Sequence, residues 1–217
     1  MSSRIDRALV AGTALRLLNE VGLEGLTVRR IAKELNVQAP ALYWHFKNKQ
    51  ELLDEVATEM FRRMAGPVAA MRPGPWQEYL AAVARHLRGL LLGYRDGAKV
   101  FGGTRFTDTD AYATTVEGML QVLVDAGFTP RAAARALFTV NTYTMGYVME
   151  EQSVFPDPAT GERDPAYEPG GRAFRLAGYP LTHQAGLAFF EDMEAGFEEG
   201  LRAVIAGIGA TVLPRRP

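Results

Sequence analysis

The stretch that decides the fold is Thr27 to Glu51, TVRRIAKELNVQAPALYWHFKNKQE. Thr27 brings the hydroxyl an N-cap needs, and Val28, Ile31, Ala32 and Leu35 recur at the spacing of one helical face. Asn36 follows, one of the few non-glycine residues that tolerate the left-handed conformation ending a helix. Val37 then fills the angle to the next element. Pro40 suits the first turn of a second helix, where its missing N–H costs nothing. In that helix, over 39–46, Leu42 and Phe46 can face inward, which leaves Tyr43, Trp44 and His45 outside. Large aromatics on a helix surface point to a partner. Asn48 and Glu51 then have the spacing of a capping box for a third helix. The pattern is a helix-turn-helix with its recognition helix at 39–46.

On the N-terminal side, residues 4–21 read as an amphipathic helix with Ile5, Ala8, Ala11, Leu15 and Leu18 along one stripe. Gly22 and Gly25 end it, and it should brace the motif from behind. From Asn48 a longer helix is expected to run to about Ala65, burying Leu52, Leu53, Val56 and Met60, until Gly66-Pro67 stops it. That helix links the motif to whatever follows. Beyond the Pro73-Gly74-Pro75 loop, helices are expected from Trp76 to Tyr94, Asp110 to Ala126 and Thr129 to Glu151. Between the first two, 95–107 is too rich in glycine for more than a short helix and a loop. Residues 153–180, rich in Pro and Gly, should hold one short helix at most. A last helix is expected from Thr182 to about Ile208, with Leu187, Phe190, Met193, Phe197, Leu201 and Val204 inside. No stretch alternates as a strand does. The expected fold is therefore all-α, with a three-helix helix-turn-helix domain at 1–48, a connecting helix at 49–66 and a larger helical domain at 67–217.

The composition of the 217 residues, 47% hydrophobic and 23% charged, is that of a folded protein rather than a disordered one. Without cysteine there is no disulfide, thiol chemistry or thiolate metal site, which fits a reducing cytoplasm. Ser2-Ser3-Arg4-Ile5-Asp6 lacks the apolar core of a secretory leader, and no apolar run approaches the roughly 20 residues of a membrane span. The overall charge of −1 conceals an asymmetry. Residues 1–50 hold eight Arg and Lys against four Asp and Glu, a net +4, so the rest of the chain is negative. Positive charge thus gathers where phosphates would be met.

An enzyme finds little support. His45, His86 and His183 fall on separate helices without metal-ligand spacing, and no zinc-protease or nucleophile-elbow motif occurs. Gly102-Gly103-Thr104 is too short to cradle a phosphate. No catalytic residue, metal ligand or cofactor is expected.

LYWHFKNKQELLD at 42–54 and its surroundings resemble the DNA-binding domain of the TetR family of transcriptional repressors. YRDGAKV at 94–100 and GTR at 103–105 are similar to the tetracycline repressor branch of that family. The resemblance is strong over 4–66 and patchy but alignable over 76–151. It implies a homodimeric repressor of a palindromic operator, with the larger domain serving ligand binding and dimerisation. It implies, too, that Arg29 reads a guanine bidentately and that Gln38, Ala39, Pro40 and Ala41 open the recognition helix against the bases. Tyr43, Trp44, His45 and Lys49 would reach phosphates or thymine methyls, with Thr27 and Lys47 as further phosphate contacts. Ala39 and Ala41 stand where the tetracycline repressor has a base-contacting glutamine and threonine, so the operator should differ.

The family's ligand cavity lies between the helices starting near Trp76, Asp110 and Thr129. Here the resemblance lines it with Val83, Leu87, Phe101, Thr104, Arg105, Phe106, Met119, Leu123, Leu137, Asn141 and Tyr147, with Glu150 near the partner subunit. Several departures bear on the ligand. The histidine that holds drug-bound magnesium falls at Phe101. A histidine and an asparagine at the drug's other end fall at about Ala65 and Val83, and a glutamine falls at Met119. Thr104, Arg105 and Glu150 are kept. A site without those polar groups cannot keep its affinity for an oxygen-rich chelate. The expected effector is a flat, largely apolar aromatic compound, bound without magnesium. The apolar faces at 131–150 and 183–208 fit either a core or a dimer interface, and the resemblance favours the dimer. If the cavity is filled, the alternative is a DNA-binding regulator or architectural protein without a small-molecule inducer.

Overall fold

Six helices begin on a side chain that accepts an N–H of their own first turn: Asp6, Thr27, Asn48, Asp108, Thr129 and Asp192. These caps divide the chain before any tertiary contact does. The computed structural model describes residues 6–71, 74–168, 178–189 and 191–212. Arg4, Ile5, Pro73 and Phe190 lie outside the described residues. The helices are α1 (Arg7–Gly25), α2 (Val28–Glu34), α3 (Ala39–Tyr43), α4 (Lys49–Ala69) and α5 (Trp76–Leu92). They continue with α6 (Gly97–Gly102), α7 (Thr109–Asp125), α8 (Pro130–Val154), α9 (Pro180–Phe189) and α10 (Met193–Thr211). A 3₁₀ turn at Pro165–Tyr167 is the one regular piece between α8 and α9 among the described residues, and no strand occurs among them.

α1 packs behind the α2–α3 pair through Leu15, Leu18, Ile31, Leu42 and Phe46, all nearly inaccessible. The same cluster continues along α4, through Leu52, Val56, Met60 and Phe61, to Val83, Leu87, Phe101 and Met119. A second cluster joins α5, α7, α8 and α10 through Trp76, Leu80, Leu123, Phe128, Val140, Phe197 and Leu201. Between α5 and α8, Arg88 donates twice to the Glu151 carboxylate, at 2.9 and 2.7 Å. Its guanidinium also lies over the Phe197 ring of α10, 5.0 Å from the centroid.

The α5–α6 turn docks on the end of α1. Asn19 donates to the Gly93 carbonyl and accepts from the Arg95 N–H, while Asp96 accepts from the Leu23 N–H at 3.0 Å. Two glycines permit this. Gly22 takes a left-handed φ of 67°, which kinks α1 near its end, and a side chain at Gly97 would strike the Leu91 carbonyl.

Several boundaries differ from the sequence reading. Ala8 is exposed, and the buried stripe of α1 is instead Val10, Ala11, Ala14, Leu15, Leu17 and Leu18. α4 runs past Gly66-Pro67 to Ala69, because proline in a last turn forfeits one bond while Ala70 N–H still closes on the Gly66 carbonyl. α3 stops at Tyr43. The chain then tightens, with the His45 and Phe46 N–H groups both bonded to the Leu42 carbonyl. The expected last helix is two, since the Asp192 carboxylate caps a new start by accepting from the Ala195 N–H at 2.9 Å.

Candidate functional site

The turn of the motif is built as its residues require. Thr27 accepts from the Arg30 N–H, and Asn36 takes a φ of 54°. Leu42 and Phe46 are each 1% exposed and fix the inner face of the recognition segment. Its outer face is then set by the helical period. Tyr43 is 50% exposed and Trp44 90%, with nothing among the described residues to cover them. Thr27, Arg29, Gln38, Pro40, Lys47 and Lys49 are also exposed, while Ala39, Ala41 and His45 are half-buried. Two groups are tied back to the fold. The Lys49 ammonium donates to the Leu23 carbonyl at 2.9 Å, and the His45 carbonyl accepts from Arg7 at 2.7 Å.

A cavity of about 280 Å³ lies among α4, α5, α7 and α8, beneath the loop after α6. Val83 and Leu87 of α5, Phe101, Phe106, Met119 of α7, and Leu137 and Asn141 of α8 come together on its wall. Thr104, Arg105, Leu123, Tyr147 and Glu150 do not. The Thr104 hydroxyl donates to the Val100 and Phe101 carbonyls, and Arg105 is exposed with its N–H on Asp54. Leu123 belongs to the second core cluster. Tyr147 donates to the Met193 carbonyl at 2.8 Å and rests against Phe197, and Glu150 is exposed on α8.

The wall also contains residues the sequence reading did not name, among them Phe61, Met64, Ala84, Tyr112, Phe138 and Thr144. The signal that could have found Met64 was its place on α4 one turn beyond Met60, and Phe61 stands one turn beyond the buried Ala57. Phe106 anchors an aromatic cluster here. Its ring centroid lies 4.8 Å from Phe61, 5.2 Å from Phe101 and 5.5 Å from Tyr112, the last nearly parallel. Tyr112 and Phe138, 41% and 70% exposed, bring the wall out to the surface. No charged side chain lines the cavity. Thr144 spends its hydroxyl on the Val140 carbonyl, and Asn141 is exposed at the rim.

This wall does not fit a magnesium ion, which needs oxygen ligands such as carboxylates, and the Phe101 ring offers none. Among the described residues no group of three or more His, Cys, Asp or Glu could hold a metal. Nor is any described helix long and apolar enough to cross a membrane.

Comparison with known proteins places both regions. The family "Bacterial regulatory proteins, tetR family" matches residues 12–56, and "Tetracyclin repressor-like, C-terminal domain" matches residues 70–212. The chain belongs to the TetR family. A similar curated relative is the tetracycline repressor protein class A from transposon 1721 of Escherichia coli, 40% identical over 95% of this chain and 91% of its own length. Among solved structures, a possible TetR family transcriptional regulator from Streptomyces coelicolor A3(2) is 39% identical with a TM-score of 0.79, covering 94% of this chain and 99% of that one. The TetR family protein ActR of Streptomyces coelicolor, solved in complex with actinorhodin, is 26% identical with a TM-score of 0.77, covering 97% and 99%. As a TetR-family protein, this chain is a DNA-binding regulator: its matched N-terminal region is the one carrying Trp44 and Tyr43.

Proposed function

We propose that this protein represses transcription by binding a palindromic operator as a homodimer, and that a flat, largely apolar aromatic compound releases it. In this reading residues 1–48 bind DNA, 49–66 connect, and 67–217 bind ligand and dimerise, all in the cytoplasm. Arg29, Gln38, Ala39, Pro40 and Ala41 face the bases, and Thr27, Tyr43, Trp44, His45, Lys47 and Lys49 hold the backbone. The alanines offer only methyl contacts, which suit thymine.

The observation that carries the ligand half is the cavity with its uncharged, aromatic and methionine-bearing wall. The pocket reaches the surface at Tyr112 and Phe138, so its apolar wall meets water, and covering that wall is what an apolar ligand would gain. Its size lies just below the roughly 300–1,000 Å³ of small-molecule pockets. One protein of the same fold supports an aromatic ligand, since ActR was solved in complex with actinorhodin. The inducer-free alternative would need the cavity to be filled core.

Dimerisation is supported by what α8 and α10 leave uncovered. Phe138, Thr142 and Met149 form an exposed stripe on α8, and Ala195, Ala203, Ala206 and Ala210 form a small-residue stripe on α10. Two copies of each make a four-helix bundle. The two recognition helices must then stand about 34–36 Å apart to enter successive major grooves. A ligand under the 101–106 loop can move α4 and spoil that spacing, to the extent that it prefers the DNA-incompetent state.

The test is a gel shift of the protein on its own upstream DNA, repeated with aromatic polyketides and with tetracycline, each with and without magnesium. Release by a polycyclic compound independent of magnesium is the expected result. Magnesium-dependent release by tetracycline would overturn the reading of Phe101, and a shift that no compound reverses would favour the inducer-free regulator.

A further inference from the structure

Glu55 is a carboxylate in the interior, 4% exposed, on the face of α4 turned toward both α1 and the loop that follows α6. Its Oε2 accepts from Arg7 Nε at 2.6 Å and lies 3.2 Å from the Thr107 hydroxyl, whose single proton it shares with the Thr58 hydroxyl at 3.1 Å. Its Oε1 accepts from Arg62 at 3.4 Å. A buried acid with these partners is a weak choice for stability alone, because a well-packed apolar residue often serves as well. What distinguishes the position is where its three partners lead.

Arg7 leads to the DNA side. Its Nη1 donates to the His45 carbonyl at 2.7 Å, and its guanidinium covers the Phe46 ring at 4.5 Å. Both residues end the recognition segment. Thr107 leads to the cavity. It directly follows Phe106 of the cavity wall, and its N–H donates to the Thr58 hydroxyl of α4 at 2.8 Å. Arg62 leads to α7, where it donates to the Asp108 cap at 3.0 Å. Among the polar contacts, the Glu55 carboxylate therefore meets groups that lead to both the cavity wall and the DNA-reading segment.

We propose that Glu55 is the positioning residue that couples the cavity to the recognition segment. The proposal rests on the reading of the cavity as an effector site. A fused-ring ligand that takes the place of the Phe106 ring draws Thr107 and Asp108 away from α4. Glu55 loses the Thr107 hydroxyl, and Arg62, released from Asp108, turns fully onto Glu55. It then competes with Arg7 for the same carboxylate. Arg7 loosens its hold on His45 and Phe46, and the segment carrying Tyr43 and Trp44 is freed. This gives the two alternative arrangements of one element that a coupling mechanism requires.

The test is a double-mutant cycle in the full-length protein, Thr107→Val against Glu55→Gln, with affinity for its own upstream DNA read by fluorescence anisotropy and no small molecule present. Thr107→Val is expected to weaken operator binding about tenfold when Glu55 is present, the worth of one hydrogen bond to a charged group. In the Glu55→Gln background the same change should cost less than about twofold. Amide exchange over 42–46 should rise with the first change and not with the second, a readout that a merely structural role would leave additive. Additive losses would overturn the proposal. If Glu55→Gln does not fold, Arg7→Met, at a partly exposed side chain, takes its place in the cycle. A second arm uses actinorhodin as the probe, and the ratio of operator affinities without and with it should fall about tenfold in Glu55→Gln. An unchanged ratio would count against Glu55. If actinorhodin fails to bind the wild type at all, the cavity reading is what suffers, and the ligand-free cycle alone judges Glu55.

Discussion

Ala84 stands on the cavity wall, 1% exposed, and leucine in its place puts three further carbons into space that the fold leaves unfilled. At about 0.8 kcal/mol per buried CH₂, Ala84→Leu should stabilise the protein by up to about 2 kcal/mol. Were that space already occupied, the same change would force neighbours off their rotamers and destabilise by about 1–3 kcal/mol. The two cases differ in sign, which makes the measurement decisive. Urea unfolding at fixed protomer concentration reads it, since a dimer's apparent stability depends on concentration. With a slope of about 1–3 kcal/mol per M, the midpoint should rise by on the order of 1 M with the slope unchanged. Affinity for a polycyclic effector should fall in the same variant, because the added side chain takes the ligand's place. A midpoint that drops while effector affinity is kept would refute the cavity argument.

Trp44→Ala should leave stability within about 0.5 kcal/mol, as expected for a side chain 90% exposed, while weakening operator binding about tenfold or more. Thermal unfolding and anisotropy on the same samples check both halves. Glu151→Ala removes one side of the buried bidentate pair with Arg88 and should cost about 3 kcal/mol, read as a lower unfolding midpoint. Burial pushes the Tyr143 phenol up to about 12. Because the unfolded phenol ionises near pH 10, the folded state is favoured fully below that and loses ground as pH rises from about 10 to about 12. A spectrophotometric titration of wild type against Tyr143→Phe isolates this step, and the variant should show less loss of stability across the same window.

Much of the DNA-facing half was legible because it rests on local chemistry. A cap such as Thr27 or Asn48, and a left-handed residue such as Asn36, depends on neighbours a few positions away. Once Leu42 and Phe46 are inward, the helical period leaves Trp44 outward whatever else the protein does. The boundary at Asp192 was missed although its cap is local, because an apolar stripe running across it concealed the break in the helix.

The cavity was legible only in part. Val83, Leu87, Phe101, Phe106, Met119, Leu137 and Asn141 converge on it, yet Leu123, one turn beyond Met119 on the same face of α7, falls under the second core instead. Helical spacing fixes which residues share a face, but not where along a helix its neighbour diverges. Tyr147 went astray for a related reason, since its hydroxyl found the Met193 carbonyl of α10, a partner far away in the chain. By itself, then, the sequence determined most of the helices, the turn of the motif and the exposure of Tyr43 and Trp44, because period and capping act over one or two turns. Only the tertiary structure decided the cavity's wall, where α4, α5, α7 and α8 converge, and the Arg7–Glu55–Thr107 junction, where α1, α4 and the loop after α6 arrive at one place.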